Sequence, residues 1–212
     1  TAAVSIIGEA TYQEIITPTH FQDVGQMVMN SFSHKAKVQH NGHAILVNEV
    51  KGFFSHNDRW FQLLQSHFHT PSEHKVQGFQ YPAEIHFVHQ SPAGSYLVIA
   101  VLCEEGTGES PEYLRDILDD IPASMEEGVR QKTLNYTAVV HGIIRNEAPF
   151  YTYQGSFTTP PCTEGVEWIV LKNRIKLSAA HLLALRQAMG DNARPPQPIG
   201  TRTILEKLLT AP

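Results

Sequence analysis

The sequence is poor in cysteine, with only two among 212 residues. Cys103 and Cys162 permit one disulfide, but two cysteines do not make a disulfide framework. Cys103 lies in the apolar run at residues 96–103, where a buried and inert thiol is the usual occupant. We therefore expect two free thiols.

The sequence also lacks an excess of basic residues and long apolar stretches. Lys and Arg number 16 against 21 Asp and Glu, for a formal net charge of −5, and no basic run occurs. This composition gives no reason to expect a nucleic-acid partner. No apolar stretch approaches the roughly 20 residues that a membrane span needs, so no span is expected.

Internal repeats, linkers and low-complexity tracts are absent as well. The length suits one domain with a sizeable core, and we expect residues 1–212 to form a single domain. The chain opens on Thr1 rather than Met and shows no signal peptide, so we expect a mature or trimmed form.

Several segments read as strands, and two read as short helices. An Asn-Gly turn at residues 41–42 between β-favouring segments predicts a hairpin. Residues 95–103 predict a strand buried on both faces, and further strands are expected at 136–144 and 166–171. Ser110 as N-cap with Pro111 in the first turn predicts one helix, and Ser178 with Gly190 bounds another at 179–189. The patterns alone predict a β-rich fold with two short helices.

Three histidines stand out within this β-rich pattern. His67 and His69 are one residue apart in a β-favouring run, so they face the same side of a strand. His86 follows in a second β-like run beyond a turn at residues 77–78. If that turn closes a two-residue hairpin, His69 lies opposite His86. Three imidazoles from adjacent strands, with a fourth position open, are the ligand set of a catalytic zinc site.

A His-x-His pair alone is weak evidence in a chain with twelve histidines, since surface or backbone-bonded core histidines are the ordinary alternative. Gln65 and Glu84 each lie two residues before one of these histidines, on the same strand face. Each can accept the ring N–H that metal binding leaves free, which is the usual support of a metal-bound histidine. The surroundings therefore favour the metal site.

Further motifs reinforce this interpretation. They are Asn41-Gly42-His43-Ala44, His67-Phe68-His69, Ser72-Glu73-His74, Ala83-Glu84-Ile85-His86-Phe87-Val88-His89, Tyr153-Gln154-Gly155-Ser156-Phe157-Thr158-Thr159-Pro160-Pro161-Cys162 and Asn192-Ala193-Arg194-Pro195-Pro196-Gln197-Pro198. Together they closely resemble the α-class carbonic anhydrases, in particular the bacterial branch. The match covers roughly residues 37–202 and rests on several long motifs in the right order. The resemblance implies a mainly β (α+β) fold: a large, mostly antiparallel, twisted central sheet with a few short peripheral helices.

The resemblance also implies a function, namely the zinc-dependent, reversible hydration of carbon dioxide to bicarbonate and a proton, a lyase reaction. Zn²⁺ would be held by His67, His69 and His86, and a zinc-bound hydroxide would attack the carbon. Thr158 matches the residue that orients this nucleophile, and Glu73 matches the carboxylate that accepts from its hydroxyl. His43 matches the histidine that shuttles the proton to buffer, in keeping with a side chain that titrates near neutral pH. The other histidines are assigned to surface or structural roles.

The last feature that the resemblance implies is a dry wall, meaning an apolar surface of the cavity that receives carbon dioxide. Its residues would be Val88, Val98, Phe157, Thr159, Val166 and Trp168. The expected partners are carbon dioxide and bicarbonate, with a homodimer as one candidate assembly, and the expected location is periplasmic or secreted.

The sequence departs from the family pattern in three places. The amino-terminal segment is shortened or degenerate, with residues 3–6 as a candidate remnant, and its loss removes the cysteine that pairs with Cys162 in bacterial members. Leu46 stands where a polar amide is usual, and Phe157 replaces a leucine. We expect an active enzyme with slower proton transfer or lower stability than its relatives.

Two other functions compete with this interpretation. One is a recognition module that has lost activity, which would typically have lost one of the zinc histidines. The other is a three-histidine iron protein such as a cupin-like oxygenase, which gives no reason for the motif at residues 158–161.

Overall fold

A computed structural model describes residues 5–6, 34–134 and 148–207 of the chain. Thirteen strands are present among them. They are β1 (Ser5–Ile6), β2 (His34–His40), β3 (Ile45–Asn48), β4 (Phe53–His56), β5 (Arg59–His69), β6 (Lys75–Val76), β7 (Phe79–Gln80), β8 (Ala83–Gln90), β9 (Tyr96–Gly106), β10 (Arg130–Leu134), β11 (Phe150–Ser156), β12 (Glu164–Ser178) and β13 (Leu205–Lys207). The helices α1 (Glu112–Leu118) and α2 (Ala179–Met189) and a 3₁₀ turn at Met125–Glu127 complete the described elements.

One large sheet dominates the fold, in the order β10-β2-β3-β5-β8-β9-β12-β11-β13, with β4 paired to β5 at the side. Its strand pairs are antiparallel except β9 with β12. A separate small sheet joins β1, β6 and β7. The predicted mainly β fold is confirmed. Within the described ranges, no helix has the length and apolarity to cross a membrane.

The large sheet is buried on both faces at its centre. In β9, Leu97, Ile99 and Val101 belong to the core beneath the two helices, whereas Val98 and Ala100 belong to a second apolar cluster on the other face. The alternation follows from the period of two along a strand. The prediction of a strand buried on both faces is confirmed, and the second face is the one that carries the candidate site.

The predicted hairpin at Asn41-Gly42 is present, but its loop is longer than two residues. β2 and β3 are antiparallel, with His40 opposite Ile45, so the loop spans residues 41–44. The side-chain oxygen of Asn41 accepts from the backbone N–H groups of His43 and Ala44, at 3.0 and 2.8 Å. This side-chain turn replaces the tight two-residue turn.

The two helix starts differ in how well their caps were predicted. At α2, the Ser178 hydroxyl accepts from the His181 N–H and Gly190 follows the last helical residue, as predicted. At α1, the cap position falls on Pro111, and the predicted Ser110 cap is wrong. The Ser110 hydroxyl accepts instead from the Ser178 N–H at 2.8 Å, so it joins the start of α2 rather than α1.

β5 contains a bulge that changes which face its side chains occupy. Leu63 pairs with His89 and Gln65 pairs with Val88, so Leu64 is left without an opposite residue. Leu63 therefore lies in the helix-covered core while Gln65 lies on the other face. In a regular strand two residues separated by one position would share a face, and the bulge removes that relation here.

Both cysteines are free, as predicted, with Cys103 buried and Cys162 half-buried. Two other predictions fall on positions outside the described residues: the strand at 136–144, and most of the amino-terminal segment. Of the candidate remnant at residues 3–6, Ser5 and Ile6 form β1, which pairs in parallel with β6.

Gly155 on β11 provides a test of the packing under the second face. A Cβ atom there would lie 2.9 Å from Cε2 of Tyr153 and 3.0 Å from Cδ1 of Trp168, both buried rings. We expect Gly155→Ala to lower the free energy of unfolding by about 1–3 kcal/mol, since overpacking moves buried side chains. Gly108→Ala is the matched control, because nothing lies within 4 Å of its Cβ position. Equal denaturant midpoints for the two variants would contradict this packing.

His89, on the helix-covered face, provides a test of buried-histidine energetics. Burial lowers its pKa to about 4, against the opposing hydrogen bonds to Phe87 and Leu97. The unfolded chain takes up a proton near pH 6.5 and the folded chain does not, so stability falls as the pH drops from 6.5 towards 4. His89→Leu removes this loss, and we expect its stability relative to wild type to improve by about 2 kcal/mol between pH 7 and pH 5. Urea unfolding of the metal-free proteins measures it; a constant difference between the two pH values would show that His89 titrates normally.

Candidate metal centre

The pairing of β5 with β8 brings the three histidines together, but in a different register from the predicted one. His67 lies opposite His86, and His69 lies opposite Glu84. The turn at residues 77–78 closes the small β6–β7 hairpin instead, because residues 70–82 leave the large sheet between the two strands. The predicted register was wrong by two positions. An offset of two preserves the side-chain face, so the histidines still converge.

The three imidazoles form a compact cluster. Each offers a ring nitrogen such that all three atoms lie within 4.8 Å of one another. Nδ1 of His86 is 3.3 Å from Nε2 of His67, and the ring centroids of His69 and His86 are 4.6 Å apart. No other part of the described chain brings together three His, Cys, Asp or Glu ligand atoms, apart from the overlapping set of His74, Glu84 and His86.

The two predicted support residues make hydrogen bonds to these rings. Nδ1–H of His67 donates to Oε1 of Gln65 at 2.9 Å, and Nε2–H of His86 donates to Oε1 of Glu84 at 2.7 Å. Because each partner oxygen requires a donor, the proton is held on the outer nitrogen of each ring. The lone pairs of Nε2 of His67 and Nδ1 of His86 then point towards each other across the cluster.

Glu84 is held by more groups than the sequence suggested. It is fully buried, and it accepts from Nδ1 of His74 at 2.6 Å and from the His74 backbone N–H at 2.9 Å. Nε2 of His74 in turn contacts the Tyr153 hydroxyl at 2.7 Å. The ring of Trp168 packs edge-on against both His74 and His86. A continuous buried network therefore runs from Tyr153 to the ring of His86 in the histidine cluster.

The electrostatics of the cluster favour neutral rings at His67 and His69, whereas His86 lies next to one buried anion, Glu84. Burial, followed by repulsion from neighbouring histidines, lowers the pKa of His67 well below its usual value and that of His69 to about 3. Burial would raise the pKa of Glu84, but His74 and His86 outweigh it and hold that pKa well below its usual value. Burial also opposes charging of His86, yet the Glu84 carboxylate raises its pKa.

Glu73 lies beside the cluster and is almost completely buried. Its Oε2 is 3.6 Å from Nε2 of His69, and its Oε1 accepts from the Arg194 backbone N–H at 2.9 Å. Burial raises the pKa of Glu73, against the opposing effects of His86, the Arg194 N–H and the Thr158 hydroxyl. Thr158 therefore lies next to the carboxylate that the family pattern pairs with it, and Oε2 of that carboxylate has no hydrogen-bond partner among the described residues.

A cavity of about 260 Å³ opens above the three histidines. Of the residues expected to form its dry wall, all but Val166 line it; Val166 is fully buried in the apolar cluster behind the cavity. The lining comprises Asn41, His43, Ala44, Leu46, Gln65, His67, His69, His86, Val88, Val98, Phe157, Thr158, Thr159, Trp168 and Asn192. Six of these residues, Ala44, Leu46, Val88, Val98, Phe157 and Trp168, are apolar and can contact a weakly polar ligand.

Three lining residues were not predicted for the site: Asn41, Ala44 and Asn192. Asn41 and Ala44 belong to the loop that carries His43, so the hairpin already indicated their place. Asn192 offered no local signal, because its partners Thr70 and His43 are 122 and 149 residues away along the chain. His74 had been assigned only a surface or structural role, and its place behind the cluster follows from the path of residues 70–82.

The donor set fits a divalent cation with imidazole preference. Nε2 of His69 is buried and has no hydrogen-bond partner among the described residues, and two bare ring nitrogens face each other 3.3 Å apart. Buried polar atoms without partners cost free energy, and a cation among them removes that cost. Three imidazoles beside an open cavity match a catalytic zinc site, in which the fourth position stays open.

Comparisons with known proteins agree with this geometry. The family described as "Eukaryotic-type carbonic anhydrase" matches residues 9–208. A carbonic anhydrase of Neisseria gonorrhoeae is 38% identical over 172 residues, which is 80% of this chain and 66% of the relative. Dioscorin dioA3 of Dioscorea japonica is 32% identical over 86% of this chain and 69% of its own length. The chain spans about two thirds of the length of such curated relatives.

Solved structures show the same relationship in three dimensions. The α-carbonic anhydrase of Thermovibrio ammonificans, solved with sulfanilamide, superposes with a TM-score of 0.83 at 32% identity. The alignment covers 96% of this chain and 85% of that structure. By sequence and by fold, this chain belongs to the α-carbonic anhydrase family.

Proposed function

We propose that the protein catalyses the reversible hydration of carbon dioxide to bicarbonate and a proton. The observation that carries the proposal is the convergence of three imidazoles at a cavity that is partly lined by apolar side chains. Family membership supports the same reaction.

His67, His69 and His86 would hold Zn²⁺ through Nε2, Nε2 and Nδ1. Zinc lowers the pKa of a bound water to about 7, for which carbonic anhydrase itself is the standard example, and so supplies a nucleophile at neutral pH. Gln65 and Glu84 keep the outer ring protons in place, so the lone pairs that face the metal need no rearrangement.

Thr158 and Glu73 orient the reacting oxygen. In this proposal the Thr158 hydroxyl donates to Glu73, which leaves its oxygen free to accept a hydrogen bond from the cavity side. An oxygen that donates to Thr158 turns its remaining lone pair towards the cavity. This positioning favours attack on a substrate that the protein binds only weakly.

The apolar wall gives carbon dioxide a dry place next to these polar groups. Val88 and Val98 are buried and neighbour each other in the β8–β9 pair, and Trp168 closes the floor of the cavity. Phe157 packs against Tyr96 with ring centroids 4.9 Å apart, which fixes the bulkier ring at the cavity edge. A neutral, linear molecule can enter this surface without losing hydrogen bonds.

His43 carries the released proton to buffer. It is exposed at the mouth of the cavity, on the loop between β2 and β3. Its ring is thus placed to take up a proton from the cavity and to pass it to solvent. Leu46, which also lines the cavity, offers no hydrogen bond to waters between His43 and the ligands. We therefore infer that proton transfer, rather than attack on carbon dioxide, limits turnover.

A binding role without catalysis is the second candidate. The intact histidine cluster, its support by Gln65 and Glu84, and the Thr158–Glu73 pair favour catalysis. A recognition module has no need for all of these groups in one cavity.

His86→Ala tests the metal centre and the reaction together. We expect zinc content to fall from about one ion per chain to near zero, and carbon dioxide hydration to fall by at least about a thousand-fold, because one of three ligands is lost. Elemental analysis and stopped-flow hydration with a pH indicator measure the two quantities.

His89→Leu is the matched control at neutral pH. It removes a buried histidine three residues along the same strand, on the opposite sheet face, and should retain zinc and activity. Wild-type protein that binds zinc but does not hydrate carbon dioxide would favour the binding role instead.

His43→Ala tests the proton route. We expect maximal turnover in weak buffer to fall about ten-fold, because a general acid–base group is lost, while kcat/KM changes little. Imidazole added to the assay should restore most of the turnover. If weak and strong buffers give the same ratio of variant to wild type, His43 does not carry the proton.

A further inference from the structure

We propose that the side-chain amide of Asn192 positions the His43 loop relative to the metal-binding strand, and so sets the proton-transfer rate. The proposal rests on the proposed function for its catalytic part. Its structural part, the connection of the two segments through one amide, can be tested without any metal.

Asn192 lies in the turn after α2 and uses all of its amide functions. Its Nδ2 group donates to the His43 carbonyl at 2.8 Å and to the Phe68 carbonyl at 3.3 Å. Its Oδ1 accepts from the Thr70 backbone N–H at 2.8 Å, and its own backbone N–H donates to the Thr70 carbonyl at 2.9 Å.

These partners connect the two functional parts of the cavity. Phe68 and Thr70 flank the ligand His69 at the end of β5, and the His43 carbonyl belongs to the residue that carries the shuttle imidazole. One planar group therefore fixes the distance between the His43 backbone and the backbone on both sides of a metal ligand. Asparagine suits the position because it combines two donors with one acceptor on a short side chain.

The loop that carries His43 also contacts the last residues of α2, just before Asn192. His40 accepts the Gly42 N–H at Nδ1, so its Nε2–H is free to donate to the Ala188 carbonyl near the end of α2, at 2.9 Å. Nearby, the Ile45 N–H contacts the sulfur of Met189 at 3.1 Å. These contacts attach the loop to α2, and the Asn192 contact extends the attachment to β5.

The loop is accordingly held in place by its contacts with α2 and Asn192. Its internal shape comes from the hydrogen bonds that the Asn41 side chain accepts. Loss of the Asn192 amide leaves that internal shape intact but releases the loop from the metal-binding strand. The position of an exposed imidazole then varies more, and fewer conformations suit proton transfer. Such a change acts on His43 and not on the apolar wall, so it is a positioning effect.

The structural part is tested by hydrogen–deuterium exchange on metal-free protein. Asn192→Ala should speed exchange of the peptide covering residues 41–45 by about five- to ten-fold, the effect expected from loss of about one hydrogen bond. Asn173→Ala, at an exposed position on β12, is the matched control and should leave that peptide unchanged. Equal exchange in wild type and Asn192→Ala would overturn the proposal.

The catalytic part is tested by a double-mutant cycle with zinc-loaded protein. Asn192→Ala should lower turnover in weak buffer by about five-fold, imidazole should restore it, and the same change in a His43→Ala background should have no further effect. Equal losses in both backgrounds, or loss without imidazole rescue, would reduce Asn192 to a structural role and overturn the proposal.

A second variant covers the case in which Asn192→Ala does not fold. Asn192→Asp keeps the oxygen that accepts from Thr70 and removes the donor to His43, with Asn173→Asp as the control for the added charge. The same exchange and kinetic results are expected. If wild type hydrates no carbon dioxide, the kinetic cycle fails for every variant, whereas the exchange result still decides whether Asn192 holds the loop.

Discussion

A single buried carboxylate, that of Glu84, is the interaction on which the arrangement of the site depends. An unpaired anion in this position would be very costly, and two imidazoles and a backbone N–H offset that cost. The same hydrogen bonds decide which nitrogen of His86 carries its proton, and hence which nitrogen faces the cavity. The network continues through His74 to Tyr153, so the core behind the site and the ligands in front of it are stabilised together.

The sheet explains why the site lies where it does. One face is covered by α1 and α2 and holds the larger apolar core, which supplies most of the burial. The other face carries the second cluster around Trp168 and leaves room for a cavity above five adjacent strands, β3, β5, β8, β9 and β12. Ligands on the central strands β5 and β8 have paired neighbours on both sides, which limits their movement. A rigid sheet therefore supports groups whose reaction requires fixed distances.

The sequence predicted features that depend on neighbouring residues and missed those that depend on distant ones. Ser178 and Gly190 act within one helical turn, so the bounds of α2 were predictable. The register of β5 with β8 was not, since it depends on how residues 70–82 leave the sheet and return. The place of Asn192 depends on contacts across more than a hundred residues, for which a single sequence carries no periodic signal. The mainly β class was predictable because alternation and turn residues recur along the whole chain.

The bulge in β5 allows a single strand to serve two different environments. Before it, Phe61 and Leu63 face the helix-covered core; after it, Gln65 and His67 face the cavity although they continue the same odd numbering. The unpaired residue, Leu64, is 39% exposed and contributes little packing of its own. Its contribution is one of phase: without a bulge at Leu64, regular alternation would place Gln65 and His67 on the same face as Phe61 and Leu63, inside the helix-covered core. The bulge thus lets the candidate ligands face the cavity while the first half of the strand stays packed against the core.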